Sequence, residues 1–202
     1  MNALTLPFRP YGRSEMYRSL LFLLMAVPVG AATLGLLIAG WVATGVLLVT
    51  PLVVVALLAF RGAIGLLAAG DAALARELLG TTAYPRLRSG GSGFWRRGLA
   101  IAKDTSFWLQ QAYLALRMTL GFGLAVAEFS LLAASFGSLA DPITYRWSDL
   151  HLGAWQIDTF ARSLVLVPVG LVGLSVAGWL AVGLGRMWAR IVDTMLASDS
   201  AR

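Results

Sequence analysis

The chain contains no cysteine, which excludes disulfides, thiolate metal sites and cysteine nucleophiles. It contains one histidine, His151, and the scattered aspartates around it lack the spacing of a metal site. The sequence also has no zinc-peptidase signature, no carboxylates paired at catalytic spacing and no Gly-x-Ser-x-Gly elbow. No phosphate-binding Walker loop is present, so nucleotide hydrolysis is not expected. The sequence therefore implies no enzyme activity, no metal and no cofactor. Charge is scarce as well. Charged residues are 13% of the 202 positions, about half the quarter usual in soluble domains. Between Ser19 and Gly70 the only ionisable residue is Arg61.

What is abundant is apolar surface: 58% of residues are hydrophobic and the mean hydropathy is +0.77. The stretch from Ser19 to Gly70 is too long for one bilayer crossing of about 20 residues and fits two. A net charge of +6 raises nucleic acid as a partner. The basic residues, however, flank hydrophobic runs rather than interleaving with polar surface, which is the pattern of a membrane protein. The first apolar run flows directly into a second and reads as a retained helix rather than a cleaved signal peptide.

The pattern predicts an all-α, polytopic membrane protein with four transmembrane helices. An N-terminal arm (1–18) precedes a first helix at 19–40, where Pro28 and Gly30 predict a kink. A turn at 40–45 with Trp41 at the interface leads to a second helix at 46–60. That helix continues into an interfacial amphipathic segment at 62–79, with Leu67, Leu74 and Leu78 on one face and Gly80 as its stop. A linker at 81–103 holds Ser89-Gly90-Gly91-Ser92-Gly93. It also holds the aromatic and basic stretch Phe94-Trp95-Arg96-Arg97, suited to an anionic lipid surface. The third helix spans 107–136 and ends before Asp141-Pro142. A loop at 139–159 follows. The fourth helix at 160–185 carries Pro168 and Gly170, and 186–196 forms a second amphipathic helix with Trp188, Ile191, Val192 and Met195 on one face. A short tail, 198–202, closes the chain.

Lysine and arginine placement orients the chain. Three arginines lie in the N-terminal arm, seven basic residues from Arg61 to Lys103 and three in the C-terminal tail. The 40–45 turn has none. Both termini and the 61–103 region are therefore expected on the cytoplasmic side of the plasma membrane. The two halves, 19–80 and 104–197, each offer two spans followed by an amphipathic segment. They suggest a parallel duplication of a two-helix unit.

Within the spans, Arg117 and Glu128 are the ionisable residues that call for a reason. Eleven positions apart, they share a face of the third helix but lie about 16 Å from each other at ~1.5 Å per residue. Arg117 is near the cytoplasmic end and can snorkel to headgroups. Glu128 lies deeper, with protonation, a hydrogen bond to a neighbouring helix or a ligand site all open to it. The outer loop gathers Tyr145, Trp147, His151 and Trp155 with both signs of charge. It serves either signal binding or capping of the span ends at the headgroups, and His151 is otherwise a solvated loop residue. Arg76, Arg96, Arg97, Arg117, Arg186, Trp188 and Arg190 are candidates for contact with the inner leaflet or a partner. Frequent glycines in the spans favour close helix packing over a conduction path.

Four motifs in order carry a family resemblance. They are Tyr17-Arg18-Ser19-Leu20-Leu21, Ala75-Arg76-Glu77-Leu78-Leu79-Gly80, Asp104-Thr105-Ser106-Phe107-Trp108 and Ile157-Asp158-Thr159-Phe160. From about 16 to 197 the chain resembles the sensor-domain family of actinobacterial membrane proteins, which often precedes a histidine kinase and sometimes stands alone. The resemblance implies a signal-input module of four membrane helices. With nothing after residue 202, no phosphoacceptor or ATP-binding domain is expected in this chain, and output would pass through a partner. The leading expectation is a sensor or regulatory subunit that binds a signal at the outer side and moves its amphipathic helices against a cytoplasmic partner such as a kinase. A permease-like partner of an ATP-binding transporter subunit, with 62–79 as a coupling helix, is one alternative. A scaffold for a homo-oligomer is another.

Overall fold

A computed structural model of the chain describes residues 8–83, 94–144, 151–152, 155–156 and 163–196. A 3-10 turn at Arg9–Gly12 precedes α1 (Ser14–Val46), α2 (Leu52–Leu79), α3 (Phe94–Ala102) and α4 (Thr105–Leu116). A π-helical segment at Arg117–Gly121 joins α4 to α5 (Phe122–Thr144), and α6 (Leu166–Leu196) follows. Apart from a two-residue antiparallel bridge between β1 (His151–Leu152) and β2 (Trp155–Gln156), these elements are all helical. Four of the helical stretches, counting 105–143 as one, are long and apolar enough to cross a membrane. The protein is an all-α, multi-pass membrane protein, as expected.

The helix ends depart from expectation for local reasons. α1 does not stop at Gly40 but runs to Val46, where the Thr44 hydroxyl donates to the Gly40 carbonyl at 2.7 Å. The turn falls at 47–51, held by Thr50 Oγ1 donating to the Leu47 carbonyl at 2.9 Å. Pro51, which lacks an N–H, then leads into α2. α2 passes unbroken through Arg61, so 62–79 is the second half of a membrane-length helix rather than a separate interfacial one. Its packed face is Ile64, Ala68, Asp71, Ala72 and Ala75, not the half-buried Leu67, Leu74 and Leu78. Gly80 closes it as expected, at φ 71 with its N–H bonded to the Arg76 carbonyl. Asp141-Pro142 fails to end α5, which continues to Thr144. Pro168 falls in the first turn of α6, where a missing N–H leaves no helical bond unmade.

The described residues fall into two compact units, 18–125 with 185–202 and 1–17 with 126–184. In the first, α1 and α2 form an antiparallel hairpin, with Gly40 against the Phe60 ring near the turn and both Ser19 and Leu79 against Gly185 at the far end. α4 runs parallel to α2. Arg61 pairs with Asp104 at 2.7 Å, the Phe60 and Phe107 rings meet at 5.8 Å, and Asp71 meets Tyr113 further along both helices. α4 is accordingly antiparallel to α1, with Trp41 stacked on Trp108 and Gly30 beside Met118. α3 packs Gly98 onto Val54, near the start of α2. The head of α4 and α3 therefore lie at the α1–α2 turn end of this unit. Residues 94–103 thus lie away from the Ser19 end of α1, which corrects the expectation that all of 61–103 shares one side with it. The Arg61–Asp104 pair and the aromatic cluster around it hold that arrangement.

In the second unit, α5 and α6 approach closely where Gly170 and Gly173 face Ser135, since a Cβ at Gly170 would lie 2.8 Å from the Ser135 carbonyl oxygen. The 3-10 turn lies against α6: Tyr11 donates to the Leu174 carbonyl at 2.6 Å and its ring packs on Gly178. Burial, and then the nearby Glu128 carboxyl, raise the Tyr11 phenol pKa above its ordinary value.

The parallel course of α2 and α4 is testable on this cysteine-free chain. Single cysteines at Val49 and Lys103 should react with a membrane-impermeant maleimide from one face of sealed vesicles, and one at Glu77 from the other. Labelling of Lys103→Cys and Glu77→Cys from the same face contradicts the fold.

Candidate functional site

The first unit encloses a charged cluster in an otherwise apolar interior. Arg117 and Asp71 are 0% and 1% exposed. Arg117 Nε lies 3.4 Å from Asp71 Oδ2, an ion pair by distance whose N–H does not point along a hydrogen bond. Its Nη2 donates to the Phe22 carbonyl of α1 at 2.7 Å. The guanidinium carbon stands 3.8 Å from the Phe22 ring centroid and 5.0 Å from that of Trp188 on α6. Tyr113, one turn before Arg117 on α4, donates a short hydrogen bond to the same Asp71 Oδ2. Asp71 Oδ1 has no hydrogen-bond partner among the described residues.

Local sequence explains how so polar a group fits. Arg117 opens the π-helical segment, and π turns, bonded i→i+5, are rare and concentrate at functional positions. Thr119 Oγ1 donates back to the Ala115 carbonyl at 2.9 Å, engaging a main-chain oxygen just before the register change. Gly121 ends the segment where a Cβ would lie 3.3 Å from both Arg117 Cδ and Trp188 Cζ2, and 3.4 Å from Ala26 Cβ. Glycine there admits the arginine stem and the indole together. On α2, Ala68, Ala72 and Ala75 keep the helix surface low around Asp71.

A second polar group lies towards the turn end. Asp104 caps α4 by accepting from the Ser106 N–H at 3.0 Å while pairing with Arg61, which accounts for the Asp104-Thr105-Ser106 motif. Trp41 Nε1 donates to Gln111 at 3.1 Å above the Trp41, Phe60, Phe107 and Trp108 rings.

The other sequence candidates disperse. Arg117 does not snorkel and Trp188 does not touch lipid; both are fully buried with the guanidinium beside the indole ring, and Arg117 Nε and Nη1 and Trp188 Nε1 have no hydrogen-bond partner among the described residues. Glu128 is fully buried in the second unit, as is Asp141, and neither carboxyl has a hydrogen-bond partner among the described residues. Arg76 donates to the Ala83 carbonyl at 2.8 Å, tying down the chain after Gly80. Arg186 and Arg190 are exposed on α6, and Arg96 is exposed on α3 beside Arg97. Tyr145 and Trp147 lie outside the described residues, and of His151 and Trp155 only the backbone bridge is described. Asp71, Tyr113 and Phe22 were not singled out by sequence reasoning. The signal available was Asp71 within the small-residue stripe Ala68, Ala72, Ala75, and the i, i+4 pair Tyr113 and Arg117.

This geometry defines a multi-pass membrane protein whose first unit encloses an internal ion pair. A model of the family described as "Putative sensor" matches residues 22–196, and the chain belongs to that family. Comparison with curated proteins and with solved structures finds no match.

Removing one member of a buried pair leaves an uncompensated charge, at a cost of about 3–5 kcal/mol. Arg117→Met and Asp71→Asn should each lower the unfolding midpoint in detergent strongly. The double variant, which keeps an acceptor for Tyr113, should recover part of the loss, with a coupling of about 1–3 kcal/mol. Additive losses in this double-mutant cycle would show that the two charges do not interact.

Proposed function

We propose that this chain is the input element of a membrane signalling assembly. It registers a change in the bilayer, or in a molecule dissolved there, at the Asp71–Arg117 pair and transmits it to a protein partner. The sensor family supplies the class of function. The observation that carries the mechanism is a buried ion pair mounted on a π turn and touched by α1, α2, α4 and α6 at once. An ionised pair in an apolar interior is held in place by few, specific contacts, so a small rearrangement of any contributing helix alters its energy substantially. A π turn that reverts to α geometry rotates everything beyond it, which gives the pair a route to displace α5.

Output leaves through the end of the unit where α6 carries Arg186 and Arg190, close to the Ser19 and Leu79 ends of α1 and α2. That end of the unit also carries Arg18 and Arg76, the arginine density expected of a cytoplasmic face of the plasma membrane. The partner that fits a chain with this role is a kinase.

Copurification of the full chain in mild detergent tests the reading. A copurifying kinase whose phosphorylation output changes with Arg117→Lys, at unchanged copurification, is the expected result. Lysine keeps the charge but cannot pair with Asp71, reach the Phe22 carbonyl and stack on two rings together. A copurifying ATP-binding transport subunit would install the transport reading, and self-association alone the scaffold reading.

A further inference from the structure

An open groove of about 510 Å³ runs along the α1–α2 face of the first unit. Val29 of α1 and Ala63, Leu66, Leu67 and Leu74 of α2 line it, with Gly70, and its one polar side chain is Asp71. Leu66 is exposed at its edge, on an apolar helix surface that faces lipid, so entry is from the bilayer. The volume falls within the range of small-molecule sites, about 300–1,000 Å³.

Asp71 presents two different oxygens. Oδ2 receives the Tyr113 hydroxyl and faces Arg117 Nε, whereas Oδ1 has no partner among the described residues. We propose that this groove binds a neutral, membrane-dissolved amphiphile whose hydroxyl donates a hydrogen bond to Asp71 Oδ1. The inference deepens the sensor reading by naming the class of signal. Charge selects the ligand. Arg117 already balances Asp71, so a cationic headgroup would bring an unmatched charge into apolar surroundings, and an anionic one would oppose the carboxylate oxygen. A neutral donor satisfies the acceptor without altering the balance. The carboxylate is 1% exposed, so the hydroxyl reaches Oδ1 as the half-buried Leu67 or Leu74 changes rotamer. The chains of the ligand then replace lipid along the groove walls. Binding at Oδ1 engages the same carboxylate that holds Arg117, which links the groove to the π turn.

The probe is 1,2-dioleoylglycerol bearing a diazirine on one acyl chain, photolysed with the full chain in phosphatidylcholine nanodiscs. Labelling is expected on α2 between Ala63 and Leu74 and on α1 near Val29. Unlabelled dioleoylglycerol should compete about tenfold or more better than its 3-O-methyl ether, the loss expected for a missing hydrogen bond to a charged acceptor. A Cβ at Gly70 meets nothing within 4 Å, so Gly70→Phe fills the groove without disturbing the core. It should reduce labelling about tenfold or more at an unchanged unfolding midpoint. Labelling spread evenly over the lipid-facing helices, equal competition by the ether, or full labelling of Gly70→Phe each overturns the inference. If labelling fails while kinase output still depends on Arg117, the sensor reading stands and only the ligand falls. If labelling behaves as expected while output ignores Arg117, the groove stands and the sensor mechanism falls.

Discussion

An arginine with no exposed surface in a helix meant for lipid is the feature the first unit is arranged around. Transfer of an isolated charge into such surroundings is prohibitive, and burial persists only where counter-charge and hydrogen bonds replace water. Arg117 collects these from four directions: a carboxylate on α2, a main-chain carbonyl on α1, and the faces of Phe22 and Trp188 on α1 and α6. No single neighbouring helix could supply that set. The need to gather it accounts for the glycine at 121, the alanines around Asp71 and the switch from α to π geometry at the arginine itself.

The wider consequence concerns what holds membrane helices together at all. Between helices in lipid, apolar burial contributes little, because a leucine is as comfortable against an acyl chain as against another leucine. Direction and register are set instead by close packing and by the polar contacts. The unit has two such levels, Arg61–Asp104 with Trp41–Gln111 near the turn and Asp71–Tyr113–Arg117 deeper in. Two levels on the same pair of helices define a direction as well as a contact, and α4 is thereby placed parallel to α2.

What could be read from the sequence follows from the same physics. Hydropathy marks long apolar runs whatever they pack against, so the four spans and the membrane class were legible, as was Gly80, whose left-handed φ has few alternatives. The inner face of α2 was not. Leu67, Leu74 and Leu78 on one face mark an interfacial amphipathic segment in the sequence. In the structure they are half-buried, and the small side chains Ala68, Ala72 and Ala75 make the packed face, which takes Asp71 from an interfacial surface to the centre of the unit. Arg117 was visible as an anomaly but its answer was not, since its partners lie 46 and 95 positions away in sequence. Helix ends were misplaced at Gly40 and at Asp141-Pro142 because glycine and proline stop helices in water, where exposed main chain is solvated. In a bilayer the unmade bond has no such compensation, and the helix continues.

In the proposed sensor role, the ion pair bounds how strong a signal can be delivered. Carrying a two-state element from 1:99 to 99:1 takes about 5.5 kcal/mol of differential affinity. One hydrogen bond to a charged acceptor contributes about 1.5–3 kcal/mol, so contact with Asp71 Oδ1 alone shifts a population only part of the way. A complete switch requires the apolar walls to discriminate as well. That happens if displacement of Arg117 changes the spacing of α1 and α2, because Val29 and Leu74 then meet the ligand differently in the two states. In the proposed mechanism the carboxylate supplies chemical selectivity, and the helix spacing supplies most of the gain. By the same proposal, a groove formed from α1 and α2, with Asp71 in its lining, couples the two through that single residue.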